Sequence, residues 1–279
     1  MIPNAAWSVA NVSSLGIIAG NGVFPIEVAE AARRRGVRVV ATAHVGETRA
    51  ELAGHVDEIT WIKVGELQKI IDTFKNAGVE EAAMAGGISR TRLKDSFAPD
   101  ARALRMLAGI TRWSDDTVLR AIAREVESEG IAVIDPVPML PDALAQAGLM
   151  AGPAPDERQL ADLDLAFEVA RSLGAFDIGQ TVAVRAGVVA AVEAIEGTDA
   201  ALRRAAALCG KGLVIAKVAK PGQDLRFDRP AIGPDTIGLL AEIGAAMLGV
   251  EAGTCMILER PHTIEAAGAS SVTVYGHAA

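Results

Sequence analysis

The chain has 279 residues, 51% of them hydrophobic and 22% charged, a balance that excludes a disordered polymer and suits one large or two ordinary domains. Its formal net charge of −8 argues against a general nucleic-acid role, leaving room only for a local basic face. Aromatic residues make up 4%, so the core is expected to be aliphatic.

The first half alternates strand-like and helix-like segments. Leu15–Ala19 is a short apolar run ending at Gly20, which fits a buried parallel strand. Pro25 opens a helical stretch through Arg35 that Gly36 closes, with proline early and glycine just past the end. Val37–Ala43 reads as the next strand and Ile59–Ile62 as a weaker one. An amphipathic helix follows from about Glu66 to Ala77, stopping at Gly78, and Ala82–Ala85 runs into Gly86-Gly87. A helix over Asp115–Glu129, with Ser114 as its cap, precedes a strand at Ile131–Ile134. This rhythm predicts an α/β fold, with an N-terminal doubly wound, mostly parallel sheet carrying helices on both faces.

Met139–Pro155 is rich in proline and glycine and reads as a linker, with Ala151–Pro155 as the boundary. The expected division is a Rossmann-like, substrate-binding domain over 1–150 and a catalytic, mixed α/β domain over 151–279. In the second half a helix is expected at Asp156–Leu173, then a hairpin of Thr181–Arg185 and Val188–Ala194 turning at Ala186-Gly187. Thr198 fits the cap of a helix through Leu208, and Leu213–Ala219 is β-like. The tail predicts a helix over Pro234–Leu248, a strand near Thr254–Leu258, a short helix, and a strand over Ser271–Tyr275.

Gly20-Asn21-Gly22 lies between the first strand and the first helix, where open parallel sheets bind ligands and backbone N–H groups favour an anion. It is not the dinucleotide fingerprint, because Pro25 takes the third glycine's place. Strand two ends in Thr42-Ala43-His44, without the acidic residue that grips a ribose. A tight structural turn fits as well as a ligand contact. The stretch holding Arg90, Arg92, Lys94, Arg102, Arg105 and Arg112 reads first as a solvated face. Following Gly86-Gly87 at a strand end, it can also oppose a diphosphate.

The denser chemistry is in the second half. Asp177, Gln180, Glu193, Glu196, Thr198 and Asp199 bracket two apolar strands, at ends and loops where a hard divalent cation finds oxygen ligands. Strand alternation puts Glu193 and Glu196 on opposite faces unless the strand breaks near Ile195, and Asp199 can equally serve only a helix dipole. Lys217 interrupts an apolar strand, which a central strand would reserve for a phosphate and an edge strand would not. In "QDLRFD", an extended backbone places Asp224, Arg226 and Asp228 on one side and Leu225 and Phe227 on the other. Alone this is an ion-pair ladder; with Lys217, Lys220, Gln223 and the upstream carboxylates it supplies the parts that phosphoanhydride hydrolysis needs. The four histidines share no motif, no Gly-x-Ser-x-Gly elbow occurs, and Cys209 and Cys255 are expected to be reduced, buried thiols.

Met1–Ser14 lacks the pattern of a secretory signal and no segment approaches the ~20 apolar residues of a spanning helix, so a cytoplasmic location is expected. Mean hydropathy is nevertheless +0.29, from aliphatic abundance or from a surface that meets lipid.

The segments "LGIIAGNGVFP", "AGGISR", "DDTVL", "DIGQ", "VEAIEGTD" and "KPGQDLRFDRPAIGPDTI" resemble the LpxI family, the UDP-2,3-diacylglucosamine pyrophosphatases of Gram-negative bacteria. The resemblance covers nearly the whole chain. It implies a lipid-linked substrate at a domain interface and a divalent cation, Mg²⁺ or alternatively Mn²⁺. It also implies an essential Asp224, and water attack at the sugar-side phosphorus to give UMP and 2,3-diacylglucosamine 1-phosphate (lipid X). On that basis the catalytic candidates are Asp224, Lys217, Lys220, Gln223 and Arg226, and the metal candidates Asp224, Glu193, Glu196, Asp199 and Asp228. Gly20, Asn21, Gly22, Gly86, Gly87, Arg90, Gln180 and Thr198 are the substrate-binding candidates. Peripheral contact with the cytoplasmic face of the inner membrane is expected, and nucleic acid is not. A nucleotide-cofactor oxidoreductase and a non-catalytic nucleotide-sugar or lipid-binding module are the alternatives. The incomplete glycine pattern disfavours the first, and the cost of holding charged groups together without a ligand disfavours the second.

Overall fold

A computed structural model describes residues 13–89, 97–111 and 113–278. The chain forms two compact units: one runs to Pro141 and also takes in Asp224–Asp228, while the other comprises Asp142–Gln223 and Arg229–Ala279. The division therefore lies before the proline- and glycine-rich boundary expected at Ala151. Gly148–Ala151 is already a strand of the second unit, hydrogen-bonded to the chain's last strand.

The first unit holds a five-stranded sheet of β1 (Ser14–Ala19), β2 (Arg38–His44), β3 (Glu58–Ile62), β4 (Glu81–Ala85) and β5 (Ala132–Val133), in the order β3-β2-β1-β4-β5. All four pairings are parallel. Ile18, Val40 and Met84 pack on one face against Ile70, Ile71 and Phe74 of α2 (Leu67–Asn76). Ala103 of α3 (Ala101–Ala108) and Val126 of α4 (Asp115–Glu127) join the same cluster. Helix α1 (Phe24–Arg33) packs on β1, β2 and β4 with none of its residues in that cluster, and so covers the other face. Burial on both faces explains why β1, β2 and β4 read as largely continuous apolar runs. Ser114 caps α4 as expected, its hydroxyl accepting from Thr117 N–H at 3.3 Å.

The sheet order reverses at β1: the chain first adds β2 and β3 on one side, then β4 and β5 on the other. The direction of the strand order therefore changes between β1 and β4, and the loops after these two strands lie at the topological switch point, the place where parallel sheets bind ligands beyond their carboxyl ends.

The second unit holds a six-stranded sheet, order β6-β13-β11-β9-β7-β8, built from β6 (Gly148–Ala151), β7 (Thr181–Arg185), β8 (Val188–Val192), β9 (Val214–Lys217), β11 (Met247–Glu251) and β13 (Thr273–His277). The β9-β11-β13 centre is parallel, and β6, β7 and β8 add antiparallel, so the sheet is mixed as expected. A separate parallel pair joins β10 (Ala231–Ile232) to β12 (Met256–Ile257). Val182, Val214 and Met247 face Leu163 and Phe167 of α5 (Glu157–Gly174), while Ala183, Ile215 and Leu248 face Leu202 of α6 (Thr198–Cys209) and Leu240 of α7 (Pro234–Glu242). Ala267 of α8 (Arg260–Ala269) belongs to that second layer. Asp162 accepts from both N–H groups of the Ala186-Gly187 turn, at 2.9 and 2.7 Å, which ties α5 to the hairpin.

Three expectations fail here. The helix from Pro234 stops at Glu242, where Gly244 takes a φ of +65°, and Met247–Glu251 forms β11. Thr198 is the first residue of α6 rather than its cap, a place taken by Gly197. The "QDLRFD" segment is a turn, not an extended strand: Asp224 C=O accepts from Phe227 and Asp228 N–H, at 3.3 and 3.1 Å.

Candidate functional site

The two glycine loops of the first unit interlock at the switch point. Gly20 N–H donates to Ala85 C=O and Asn21 N–H to Gly87 C=O, both at 2.7 Å, while Gly87 N–H donates to Asn21 Oδ1 at 3.2 Å. A Cβ on Gly20 would lie 2.3 Å from the Gly87 oxygen, and one on Gly86 would lie 2.2 Å from the Asn21 oxygen. The loops meet only because both positions lack a side chain. Gly20, Asn21, Gly22, Gly86 and Gly87 thus form one constellation, at the N-terminus of α1. Arg90, with Arg92, Lys94 and Arg112, lies outside the described residues. Of the remaining basic stretch, Arg102 is committed to structure: it donates to Glu125 and Glu129 at 2.7 Å each.

The second constellation of this unit surrounds Asp224. The Asp224–Asp228 turn is anchored by Phe227, which packs against the sheet core, and by Arg226 Nη1, which donates to Val133 C=O at 3.1 Å. Asp224 accepts from Arg226 Nη2 at 2.8 Å and Nε at 3.0 Å, and from Arg120 Nη1 at 3.4 Å. Its own N–H donates to Asp116 at 3.1 Å, and Asp116 also accepts from Arg120 at 2.6 Å. Burial works against the charge on Asp224, but the Arg226 hydrogen bonds and the Arg120 charge outweigh it and hold the carboxyl below its usual value. Hydrogen bonds to Asp224, opposed by burial, raise the Arg226 guanidinium in turn. Asp116, Arg120 and Glu127, which pairs with Arg226 at 2.9 Å, were absent from the sequence-based set. The i,i+4 spacing of Asp116 and Arg120 is visible in the sequence; their meeting with Asp224 is not.

In the second unit, Lys220 Nζ donates to Asp177 at 2.5 Å, and Lys220 N–H to Gln223 Oε1 at 2.9 Å. Thr198 hydroxyl donates to Glu193 at 2.9 Å, and Gln180 N–H reaches the other Glu193 oxygen at 3.4 Å. Glu193 and Glu196 follow the end of β8 and have different partners, since Glu196 pairs with Arg204 at 2.6 Å. Lys217 does sit on a central strand, where its Nζ donates to Ala231 C=O at 2.7 Å. Asp199 lies in the first turn of α6, the position a helix dipole favours. Cys255 is buried, its thiol pushed up to about 12 by desolvation, whereas Cys209 is exposed, contrary to expectation.

Two family descriptions match the chain, the LpxI N-terminal domain over residues 14–143 and the LpxI C-terminal domain over residues 146–275. The chain belongs to the LpxI family. The "UDP-2,3-diacylglucosamine pyrophosphatase LpxI" of Caulobacter vibrioides is 34% identical over 275 residues, covering 94% of this chain and 96% of that protein. Among solved structures, the biotin carboxylase domain of a Hydrogenobacter thermophilus 2-oxoglutarate carboxylase is 16% identical, over 73% of this chain and 43% of that one, with a TM-score of 0.28. A phosphoribosylglycinamide synthetase of Anaerococcus prevotii is 12% identical, over 74% and 45%, also at 0.28. At that TM-score the likeness carries no argument.

Of the five carboxylates expected to hold a metal, Asp224 and Asp228 belong to the first unit and Glu193, Glu196 and Asp199 to the second. Among the described residues no three His, Cys, Asp or Glu side chains gather as a metal site in this LpxI protein. Mg²⁺ needs no such cluster, since it keeps waters and is held by one or two carboxylates plus substrate phosphates. The neighbouring carboxylates Asp116 and Asp224 fit that mode.

Proposed function

We propose that this LpxI protein hydrolyses the diphosphate of UDP-2,3-diacylglucosamine to UMP and 2,3-diacylglucosamine 1-phosphate (lipid X), in lipid A synthesis. The observation that carries this reading is the family match across both halves, joined by a 34% identical pyrophosphatase covered almost end to end. The residues give it chemistry. Asp224 is an anion at neutral pH, oriented by two arginines, and is suited either to ligate Mg²⁺ or to orient the attacking water. Bound Mg²⁺ (or Mn²⁺) would polarise a phosphoryl oxygen and neutralise developing charge, with Asp224 and Asp116 holding it. Water adds to the sugar-side phosphorus, the bridging P–O bond breaks, and UMP leaves. Lys217, Lys220, Gln223, Gln180 and Thr198 remain the second unit's proposed contacts to substrate.

The location proposed is the cytoplasm, with peripheral contact to the inner membrane. Among the described residues no helix is long and apolar enough to cross a membrane. Phe176 is 72% exposed and Ile195 93%, on two loops joined through Gln180 and Glu193, and a lipid surface would cover such side chains. Incubation with UDP-2,3-diacylglucosamine and Mg²⁺ should release UMP, EDTA should stop it, and Mg²⁺ or Mn²⁺ should restore it. No UMP from folded protein with either ion refutes the activity; undiminished turnover in EDTA refutes the metal.

A further inference from the structure

Glu47 is the acidic side chain that the end of strand β2 lacks. The turn after β2 is pinned to the end of β1: His44 Nδ1–H donates to Ala19 C=O at 2.8 Å, and Thr48 hydroxyl donates to the same oxygen at 2.7 Å. His44 N–H closes the turn on Thr48 Oγ1 at 2.9 Å. These bonds carry Glu47 to the interlocked glycine loops. Its Oε2 accepts from Ser89 N–H at 3.1 Å and from Asn21 Nδ2 at 3.4 Å. The residue is only 6% exposed, and its Oε1 is buried with no hydrogen-bond partner.

A carboxylate that served only to tie the two loops would fill both oxygens, because an unsatisfied buried acceptor is destabilising and a charged one more so. The open oxygen asks for a donor. Phosphate has none to offer at neutral pH and is repelled by the charge; its place is the neighbouring N-terminus of α1. In sheets of this order, an acid just past the second strand meets the ribose when the phosphates lie on the first loop.

We infer that Glu47 reads the ribose of the substrate's nucleotide half, accepting a hydrogen bond from a ribose hydroxyl on Oε1. This rests on the proposed UDP-linked substrate and adds the residue that recognises its sugar. The carboxylate lies three residues beyond the end of β2 because the chain makes one more turn there, closed by Thr48.

The test is calorimetry with UDP and 2′,3′-dideoxy-UDP on the wild type, Glu47→Gln and Glu47→Ala, with melting curves for each. Alongside it, UMP release from UDP-2,3-diacylglucosamine by the wild type tests the activity separately. The wild type should bind UDP roughly 10–100-fold more tightly than the dideoxy compound, the range of one or two hydrogen bonds to a charged acceptor. In Glu47→Ala the difference should fall to about threefold or less, through loss of UDP affinity alone. Glu47→Gln keeps the acceptor for Ser89 N–H, so it serves if the alanine variant does not fold, and it too should lose most of the discrimination. Equal weakening of both ligands would mark Glu47 as a loop tie or a base contact and overturn the inference. So would a wild type blind to the hydroxyls or unable to bind UDP. If UDP discrimination holds but no UMP is released, the activity is wrong and the ribose contact stands.

Discussion

Replacing Asp224 with alanine separates catalysis from structure, because the two roles predict losses of similar size in different measurements. Structurally, the substitution removes the acceptor of three arginine N–H groups, at 2.8, 3.0 and 3.4 Å. Charge-assisted bonds of this kind contribute roughly 1.5–3 kcal/mol when buried. Both arginines are partly exposed and keep other partners, Glu127 and Val133 for Arg226 and Asp116 for Arg120. Solvent screening therefore lowers the expected loss to about 1–2 kcal/mol, or about 2–8 °C in melting temperature for a domain of this size. A role in ligating Mg²⁺ or orienting water acts in the transition state, so kcat should fall by roughly a hundredfold or more, equivalent to about 2.7 kcal/mol. Asp224→Asn, which keeps the shape and removes the charge, should lose nearly as much activity. UMP release under saturating substrate and a melting curve on the same preparation give both quantities. A variant that melts a few degrees lower yet turns over within about threefold of wild type would reduce Asp224 to an ion pair and refute the mechanism.

Three further outcomes are expected. Hydrolysis in H₂¹⁸O should place the label in the sugar 1-phosphate, since water attacks the sugar-side phosphorus; label in UMP would reverse the assignment. Phe176→Ser with Ile195→Ser should weaken cosedimentation with anionic liposomes severalfold while leaving the melting temperature within about a degree, because both side chains are already exposed; unchanged cosedimentation would remove these loops from any membrane contact. Burial lowers His44 below its ordinary 6.5, against the opposing hydrogen bond to Ala19. The unfolded chain therefore binds the proton more readily, and the stability due to neutral His44 is complete above about pH 6.5 and is lost as pH falls toward the folded value. Between pH 7.5 and 5.5 the urea midpoint should fall more in the wild type than in His44→Asn, and equal slopes would contradict this.

What was legible in the sequence was local. The β1, α1, β2, β3, α2 and β4 succession follows from apolar runs closed by glycine, and the Ser114 cap follows from its own helix start. The run from Ile237 to Val250 was misread for a physical reason. It is apolar almost throughout and its last part, Met247–Val250, is buried on both faces, so periodicity does not separate the end of a helix from a central strand; the backbone of Gly244 does. Glu47 was missed because the ribose acid was sought at the last residue of β2, whereas this chain turns once more, through Thr48, before presenting it.

Asp224 was singled out as a residue and misplaced as a structure. The alternation of Leu225 and Phe227 suggests an extended strand, but Phe227 leaves that pattern to enter the core of the other unit, and the chain bends at Asp224 to allow it. A boundary drawn from composition divides the chain once; here a five-residue excursion crosses back and sets the carboxylate beside a helix more than a hundred residues earlier. The consequence is chemical. The groups that hold Asp224 ionised are its own neighbour Arg226 and Arg120 of α4, while Asp116 of α4 fixes its backbone by accepting from its N–H, so its electrostatics are those of the unit that carries the glycine loops. Substitutions on α4, such as Arg120→Gln, therefore belong in any dissection of this carboxylate, although nothing near "QDLRFD" in the chain points to them.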